Sequence, residues 1–387
     1  MKRTDETVHR LQWLRSPAGA AALIDPARGG TVHRLRLCPL SPDTDSAVDA
    51  PVDILWGDPE PARSPVETDL FRGRPLVPFA DRIPGGSYTF QGATCRLPIN
   101  DTTMGDAIHG FLYRTALAVV DGGKGPDVPE GARRRRNDAG GGDPVGDLRV
   151  IGDEDEPVGD PGVIGDEDEP VGDPGVINHE DDPAGPERSI TLEGDIPPQP
   201  GYPWRLGVRL RYILRDTKFV YRIRVTNKSE EVAPITVGWH PYFVAPGLGA
   251  GEPIDVATLH VASGEYLEVD ERLRPTGDRR KVDGTAIDYR VARPIGHDEI
   301  DIGLAESTRA TLAGPTGRIE IETGGAFAMI QLFVPPTREA IAIEPFSAPG
   351  AAFQRPELGL TTLVPGGSID AWAVITLRGT TYPPAEG

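Results

Sequence analysis

WRLGVRLRYILRDTKFVYRIRVTN, residues 204–227, decides the fold class. Leu206, Val208, Leu210 and Tyr212 alternate with Arg205, Arg209 and Arg211, and Phe219, Tyr221, Ile223 and Val225 alternate with Arg222, Arg224 and Thr226. RDTK lies between the two runs. In a strand, successive side chains point to opposite faces, so this pattern predicts an antiparallel hairpin with one apolar and one arginine-rich face. Outward from it, residues 317–323, 328–334 and 371–377 alternate in the same way, and YTFQGATCRL (88–97) reads as a second hairpin turning at QGA. Glycine (47) and proline (40) punctuate the chain, and long apolar helical runs are few. The expectation is all-β, an antiparallel sandwich or barrel.

The alternation is interrupted once. VIGDEDEPVGDPG at 150–162 repeats unchanged at 163–175, and a decayed copy, VINHEDDPAG, follows. Residues 121–187 hold 20 of the 59 acidic residues but 6 of the 40 basic ones, so most of the net charge of −19 is local. Dense charge, glycine and proline with few large apolar residues cannot offset chain entropy by burial. We therefore expect one domain over 1–387, interrupted by a disordered acidic insertion at 121–187 between two strands. Loop-closure entropy grows only with the logarithm of length, which makes such an insertion tolerable. GDEDEP lacks the spacing of an EF-hand loop, and a solvated charge run is the simpler expectation than calcium.

Several function classes drop out. No run of about 18 apolar residues predicts a membrane span, and MKRTDETVHRLQWLRSP at the start has no apolar core of signal-peptide length. Cys38 and Cys95 have neither metal spacing nor a disulfide framework, which points to a reducing, cytoplasmic setting. RRRR at 133–136 sits inside the acidic segment, so no basic stripe suggests nucleic acid. No HxxxH or HExxH marks a metal hydrolase, and His297 lies in a short polar turn, HDE. Nothing in the sequence speaks to the oligomeric state.

Four stretches carry titratable groups beside rigid elements: FADRIPGG (79–86) with Asp81 and Arg82, INDTTMGDAIHGFLYR (99–114) with His109, VGWHPYFVAP (237–246) with His240, and IAIEPFSAPGAAF (341–353) with Glu344. Each has a plain structural alternative: a surface ion pair, a turn residue, a core histidine, a strand-end carboxylate. Half-burial of Glu344 between an apolar strand and Pro345 would raise its pKa and suit it to act as a base near neutrality.

Taken together and in this order, these stretches resemble the aldose 1-epimerase (galactose mutarotase) family. The matching text is RPLVPFADRIPGGSYTFQGATCRLPIN (74–100), AIHG (107–110), VTNKSEEVAPITVGWHPYF (225–243), IDIGLA (300–305), IAIEPFSAPGAAF (341–353) and LVPGGSIDAW (363–372). The pairing of GWHPYF with the later IEP is the specific part. The resemblance implies a large antiparallel β-sandwich, the mutarotase supersandwich, with an aldohexose in a cleft on one face. It implies His240 as general acid and Glu344 as general base, with Arg82 and His109 holding sugar hydroxyls and stabilising charge. Asp301 in EIDIGLA resembles the hydroxyl-binding aspartate, and Gln331 in AMIQLFV is a further candidate contact. Asp81 departs from the asparagine the family often has there; an ionised aspartate accepts hydrogen bonds but does not donate. The implied reaction opens the pyranose by removing the C1 hydroxyl proton while protonating the ring oxygen, and needs neither metal nor cofactor. Pro241 and the neighbouring aromatics would fix the imidazole, with Trp239 or Phe243 supporting the cleft. Two alternatives stay open: a hexose 6-phosphate epimerase whose arginine-rich strand face binds phosphate, and a non-catalytic sugar-binding module on the same fold.

Overall fold

The computed structural model describes residues 11–41, 47, 50–61, 70–122, 187–249 and 251–380. The central hairpin forms from strands Leu206–Leu214 and Lys218–Asn227, with Val208 opposite Val225, Leu210 opposite Ile223 and Tyr212 opposite Tyr221. The turn takes Arg215, Asp216 and Thr217; Lys218 already pairs in the second strand's sheet. In the other expected hairpin, Ser87–Phe90 pairs with Ala93–Arg96, and Gln91 (φ 48°) and Gly92 (φ 80°) alone make the turn. Two positive φ values match the right-handed twist of the flanking strands.

The central hairpin supplies the third and fourth strands of a nine-stranded antiparallel sheet, whose order is Ala118–Gly122, Arg188–Ile196, Leu206–Leu214, Lys218–Asn227, Ser368–Gly379, Gly317–Gly325, Arg309–Gly314, Thr258–Val261 and Arg293–Pro294. Strands Ala118–Gly122 and Arg188–Ile196 are neighbours, so the two flanks of the acidic segment meet in one sheet. Of the insertion expected at 121–187, residues 123–186 lie outside the described residues. A second, eight-stranded sheet includes Asp301–Leu304, Met329–Phe333, Ile341–Phe346, Gly238–His240 and Arg74–Leu76 in that order, with Tyr242–Phe243 also pairing on Ile341–Phe346. Among the described residues the helical pieces are five 3-10 turns of three residues each. None is long and apolar enough to cross a membrane.

The two large sheets close over one apolar core, and Trp239 of one stacks on Tyr221 of the other at 4.8 Å with an interplanar angle of 11°. The arginine-rich face of the hairpin points outward. There Arg209 pairs with Glu193, Arg224 reaches Asp370 at 2.7 Å, and Arg378 reaches Glu320 at 2.6 Å. These arginines are met by carboxylates of neighbouring strands and do not line the cavity described below, which removes them as the phosphate cluster considered above.

Strand alternation sorts the eight-stranded sheet into two chemistries. Trp239, Phe243, Ile330, Leu332, Ile341 and Ile343 enter the core. The intervening residues His240, Tyr242, Gln331 and Glu344 face the other way, onto a cavity.

Candidate active site

The cavity has a volume of about 400 Å³ and is lined by Asp81, Arg82, His109, His240, Asp301, Gln331 and Glu344, all seven residues assigned from the sequence. That size suits a small ligand. Three come from adjacent strands: Gln331 lies directly opposite Glu344, and Asp301 lies on the next strand, opposite Phe333. The small pairing of Arg82–Ile83 with Ala107–Ile108 brings Asp81, Arg82 and His109 to the same wall.

His240 and Glu344 are both buried, with Nε2 3.2 Å from Oε2. The spacing would suit an ion pair, but burial favours the uncharged form of each partner. Burial, then the charges of Arg74 and Arg82, push His240 down to about 3. Burial, then the carboxylates of Asp301 and Asp81, push Glu344 well above the usual range, against the pull of Arg82. Both shifts favour the uncharged pair, a neutral imidazole beside a carboxylic acid.

His109 has a left-handed backbone (φ 61°) and exchanges two bonds with Asp81. The Asp81 N–H donates to Nδ1 at 3.1 Å, and the His109 N–H donates to the Asp81 carbonyl at 3.2 Å. Nδ1 is thus the acceptor, and Nε2 carries the proton. Gly110, next in the chain, also has a positive φ of 67°, and a Cβ there would lie 2.2 Å from the Val77 carbonyl oxygen. Burial foremost, then His240, Arg82 and Arg74, hold His109 well below the usual imidazole range.

Asp81 itself has φ 58°. Burial raises its carboxyl, against the Arg82 charge and the backbone N–H groups of Arg82 and Gly350. The Arg82 guanidinium lies 3.4 Å from Asp81 and 3.5 Å from Asp101. Asp101 is anchored in turn by the N–H groups of Thr103 and Met104 at 3.1 Å. Gln331 Nε2 donates to Asp301 Oδ1 at 2.7 Å, while burial and then Asp81 raise the Asp301 carboxyl to about 6.

The aromatic support differs from expectation. Trp239 and Phe243 pack in the core behind the sheet, because alternation sends them away from the cavity. The rings at the cavity are Tyr242, stacked on His240 at 5.0 Å, Phe71, edge-on to His109 at 4.5 Å, and those of Phe333 and Phe346. Phe71 and Asp101 went unassigned in the sequence. For Asp101 the signal was present in NDTTM, where an aspartate two and three residues before free N–H groups reads as a turn; Phe71 had none.

An imidazole and a carboxylic acid in contact can give a proton to one atom of a ligand and take one from an atom beside it. Residues 176–376 match the family model described as aldose 1-epimerase. The chain belongs to the aldose 1-epimerase family. It is similar to the uncharacterised protein YihR of Escherichia coli, at 22% identity over 73% of this chain and 71% of YihR. It also resembles galactose mutarotase of Rattus norvegicus, at 34% identity, though the match spans 25% of this chain and only 27% of that protein. Among solved structures, an aldose epimerase homologue from C. elegans superposes with a TM-score of 0.68 at 16% identity, covering 96% of this chain and 100% of that one. A galactose mutarotase-like protein from Clostridium acetobutylicum gives 0.68 at 16% identity, covering 97% and 100%. These two likenesses carry the fold alone: the antiparallel supersandwich of the epimerase family.

Proposed function

We propose that this epimerase-family chain interconverts the α and β anomers of a free aldohexose. The observation that carries the proposal is the buried contact of 3.2 Å between His240 and Glu344 in a cavity of sugar size. When substrate enters, the carboxyl proton of Glu344 moves to His240, leaving a carboxylate and an imidazolium. Glu344 takes the C1 hydroxyl proton, His240 protonates the ring oxygen, the C1–O5 bond breaks and the carbonyl forms. The pair again holds one proton, now on Glu344. After rotation about C1–C2, Glu344 returns its proton to the carbonyl oxygen, His240 recovers one from O5, and the ring closes on the other face. The proton count of the pair is constant throughout, so no outside acid or base is consumed. Arg82, His109, Asp301 and Gln331 bind hydroxyls and fix the ring; Asp81 orients His109 through its backbone. The buried free thiols of Cys38 and Cys95 accord with a cytoplasmic setting.

A phosphorylated hexose is disfavoured by the charge of the lining. Four carboxyl residues, Asp81, Asp101, Asp301 and Glu344, face the cavity against the single guanidinium of Arg82. That guanidinium already lies between Asp81 and Asp101, which leaves little positive potential for a phosphate dianion.

Polarimetry of freshly dissolved α-D-glucose and α-D-galactose tests the proposal. Wild-type protein should accelerate the decay of rotation, and His240→Ala and Glu344→Gln should each lose roughly 10²–10⁴-fold. Acceleration of glucose 6-phosphate alone would replace the substrate, and sugar binding without acceleration would replace the enzyme by a binding module.

A further inference from the structure

Asp101 lines the cavity, yet the proton transfers between His240, Glu344 and the sugar ring do not use it. It stands on neither large sheet. It opens a turn over 101–106 whose two ends are paired: the Asp101 N–H donates to the Asp106 carbonyl at 3.1 Å, and the N–H groups of Gly105 and Asp106 donate to the Asp101 carbonyl at 2.8 and 3.1 Å. The turn is also braced from outside. The fully buried Asp106 carboxylate accepts from the Gly85 N–H at 2.8 Å and from the Arg274 guanidinium at 2.9 Å, and Arg272 donates to the Met104 carbonyl. Such bracing holds the Asp101 side chain in place before any ligand arrives.

The two oxygens of Asp101 are used differently. Oδ1 accepts from the N–H groups of Thr103 and Met104, both at 3.1 Å, a turn-opening duty that serine or asparagine performs as well. Oδ2 accepts no hydrogen bond among the described residues. Its neighbour is Arg82 Nε at 3.5 Å, and that N–H is buried and makes no hydrogen bond. The guanidinium therefore draws the carboxylate toward it without spending the lone pairs of Oδ2. From Asp101 the contacts run through Arg82, Asp81 and His109 before they reach His240: 3.4 Å from Arg82 to Asp81, 3.1 Å from Asp81 to His109, and 5.1 Å between the two imidazole centres. On the epimerase reading, C1 and the ring oxygen lie at His240 and Glu344. Asp101 then faces the other end of the pyranose, where C4 stands opposite C1. We propose that Asp101 is a specificity-determining residue whose Oδ2 accepts the proton of the C4 hydroxyl of the hexose, beside Arg82. The role rests on the epimerase reading of the same cavity and goes beyond it by naming the hydroxyl that is read. A carboxylate oxygen accepts but does not donate, so the group it selects must carry a proton.

The test is a cycle of protein and sugar variants read by polarimetry: wild type and Asp101→Ser, each with D-glucose, 4-deoxy-D-glucose and 2-deoxy-D-glucose. Serine keeps a short oxygen for the Thr103 and Met104 N–H groups and lacks the second one. In wild type, kcat/KM for 4-deoxyglucose should lie about 10- to 100-fold below that for glucose, the range of a hydrogen bond to a charged group. In Asp101→Ser the two sugars should come within about twofold of each other, through loss on glucose, while the penalty on 2-deoxyglucose stays as in wild type. An equal loss on all three sugars would make Asp101 a brace of the turn or of Arg82 and overturn the proposal, as would a coupling at C2 instead of C4. If melting curves show that Asp101→Ser does not fold, Asp101→Asn goes through the same cycle: it keeps Oδ1, turns the cavity oxygen into a donor, and should also shrink the 4-deoxy penalty. Should wild type accelerate no sugar, the epimerase reading fails by itself, and the same cycle read as Kd by calorimetry decides the role of Asp101.

Discussion

At the scale of single residues, the site works by placing groups where their ordinary ionisation is suppressed. Asp301 gives the clearest stability consequence. Its carboxyl titrates at about 6 against 3.8 for the free side chain. A raised folded value stabilises fully below the unfolded pKa and loses that stabilisation as pH rises through the folded one. Asp301→Asn should therefore be more stable than wild type at pH 7–8, by at most about 3 kcal/mol, and no more stable at pH 4. Melting curves at the two pH values check this, and a raised KM for the sugar should accompany the gain. The His240–Glu344 pair makes a second prediction. It needs one proton, gains a second only near pH 3 on the imidazole, and loses the last only above the raised carboxyl range of Glu344. In Asp301→Asn, which removes the carboxyl that titrates at about 6, the kcat/KM profile should accordingly stay flat from pH 6.5 down to the limit of folding, without the fall near 6.5 that a solvent-exposed histidine would give. A fall centred near 6.5 in that variant would mean that His240 opens to water in the working enzyme.

At the scale of elements, strand alternation decides which residues become chemical. One step along Gly238–His240 separates the core ring of Trp239 from the cavity imidazole of His240. The hairpin at 204–227 was legible because its period of two is uninterrupted, and the pairing of Leu210 with Ile223 follows from it. HPYF and IEP were legible because a titratable group beside proline in an apolar strand is an unusual local choice. The places of Trp239 and Phe243 were legible in principle from the same alternation, once His240 is set facing the cavity. Phe71 was not: its role depends on a left-handed backbone and on His109, His240 and Arg74 converging from other parts of the chain. No local pattern in LFRGR encodes that convergence. Gly110 shows how closely the connecting turns are built. Gly110→Ala adds a Cβ 2.2 Å from the Val77 carbonyl at a positive φ, so it should cost about 2–4 kcal/mol. Because His109 precedes it, activity should fall more than the loss of folded protein accounts for, as active-site titration against melting would reveal.

At the scale of the whole molecule, the exposed ion pairs of the nine-stranded sheet lie apart from the cavity. The outer ladder of arginines and carboxylates lies on the far face of the nine-stranded sheet, with Arg224 and Asp370 both well exposed. Exposed pairs contribute little. Arg224→Gln should change stability by no more than about 0.5 kcal/mol and leave anomer exchange untouched, measurable by urea unfolding and polarimetry on the same sample. The inner faces behave differently, since Trp239 stacks on Tyr221 of the opposite sheet while its neighbour His240 faces the cavity. One strand thus serves as both keystone and tool mount. Separating the sheets must misplace the imidazole, so a half-open form of this molecule would be inert rather than slow. Heating should extinguish anomer exchange and the native indole emission at one temperature, and the rate of sugar mutarotation becomes a direct gauge of how many molecules remain closed.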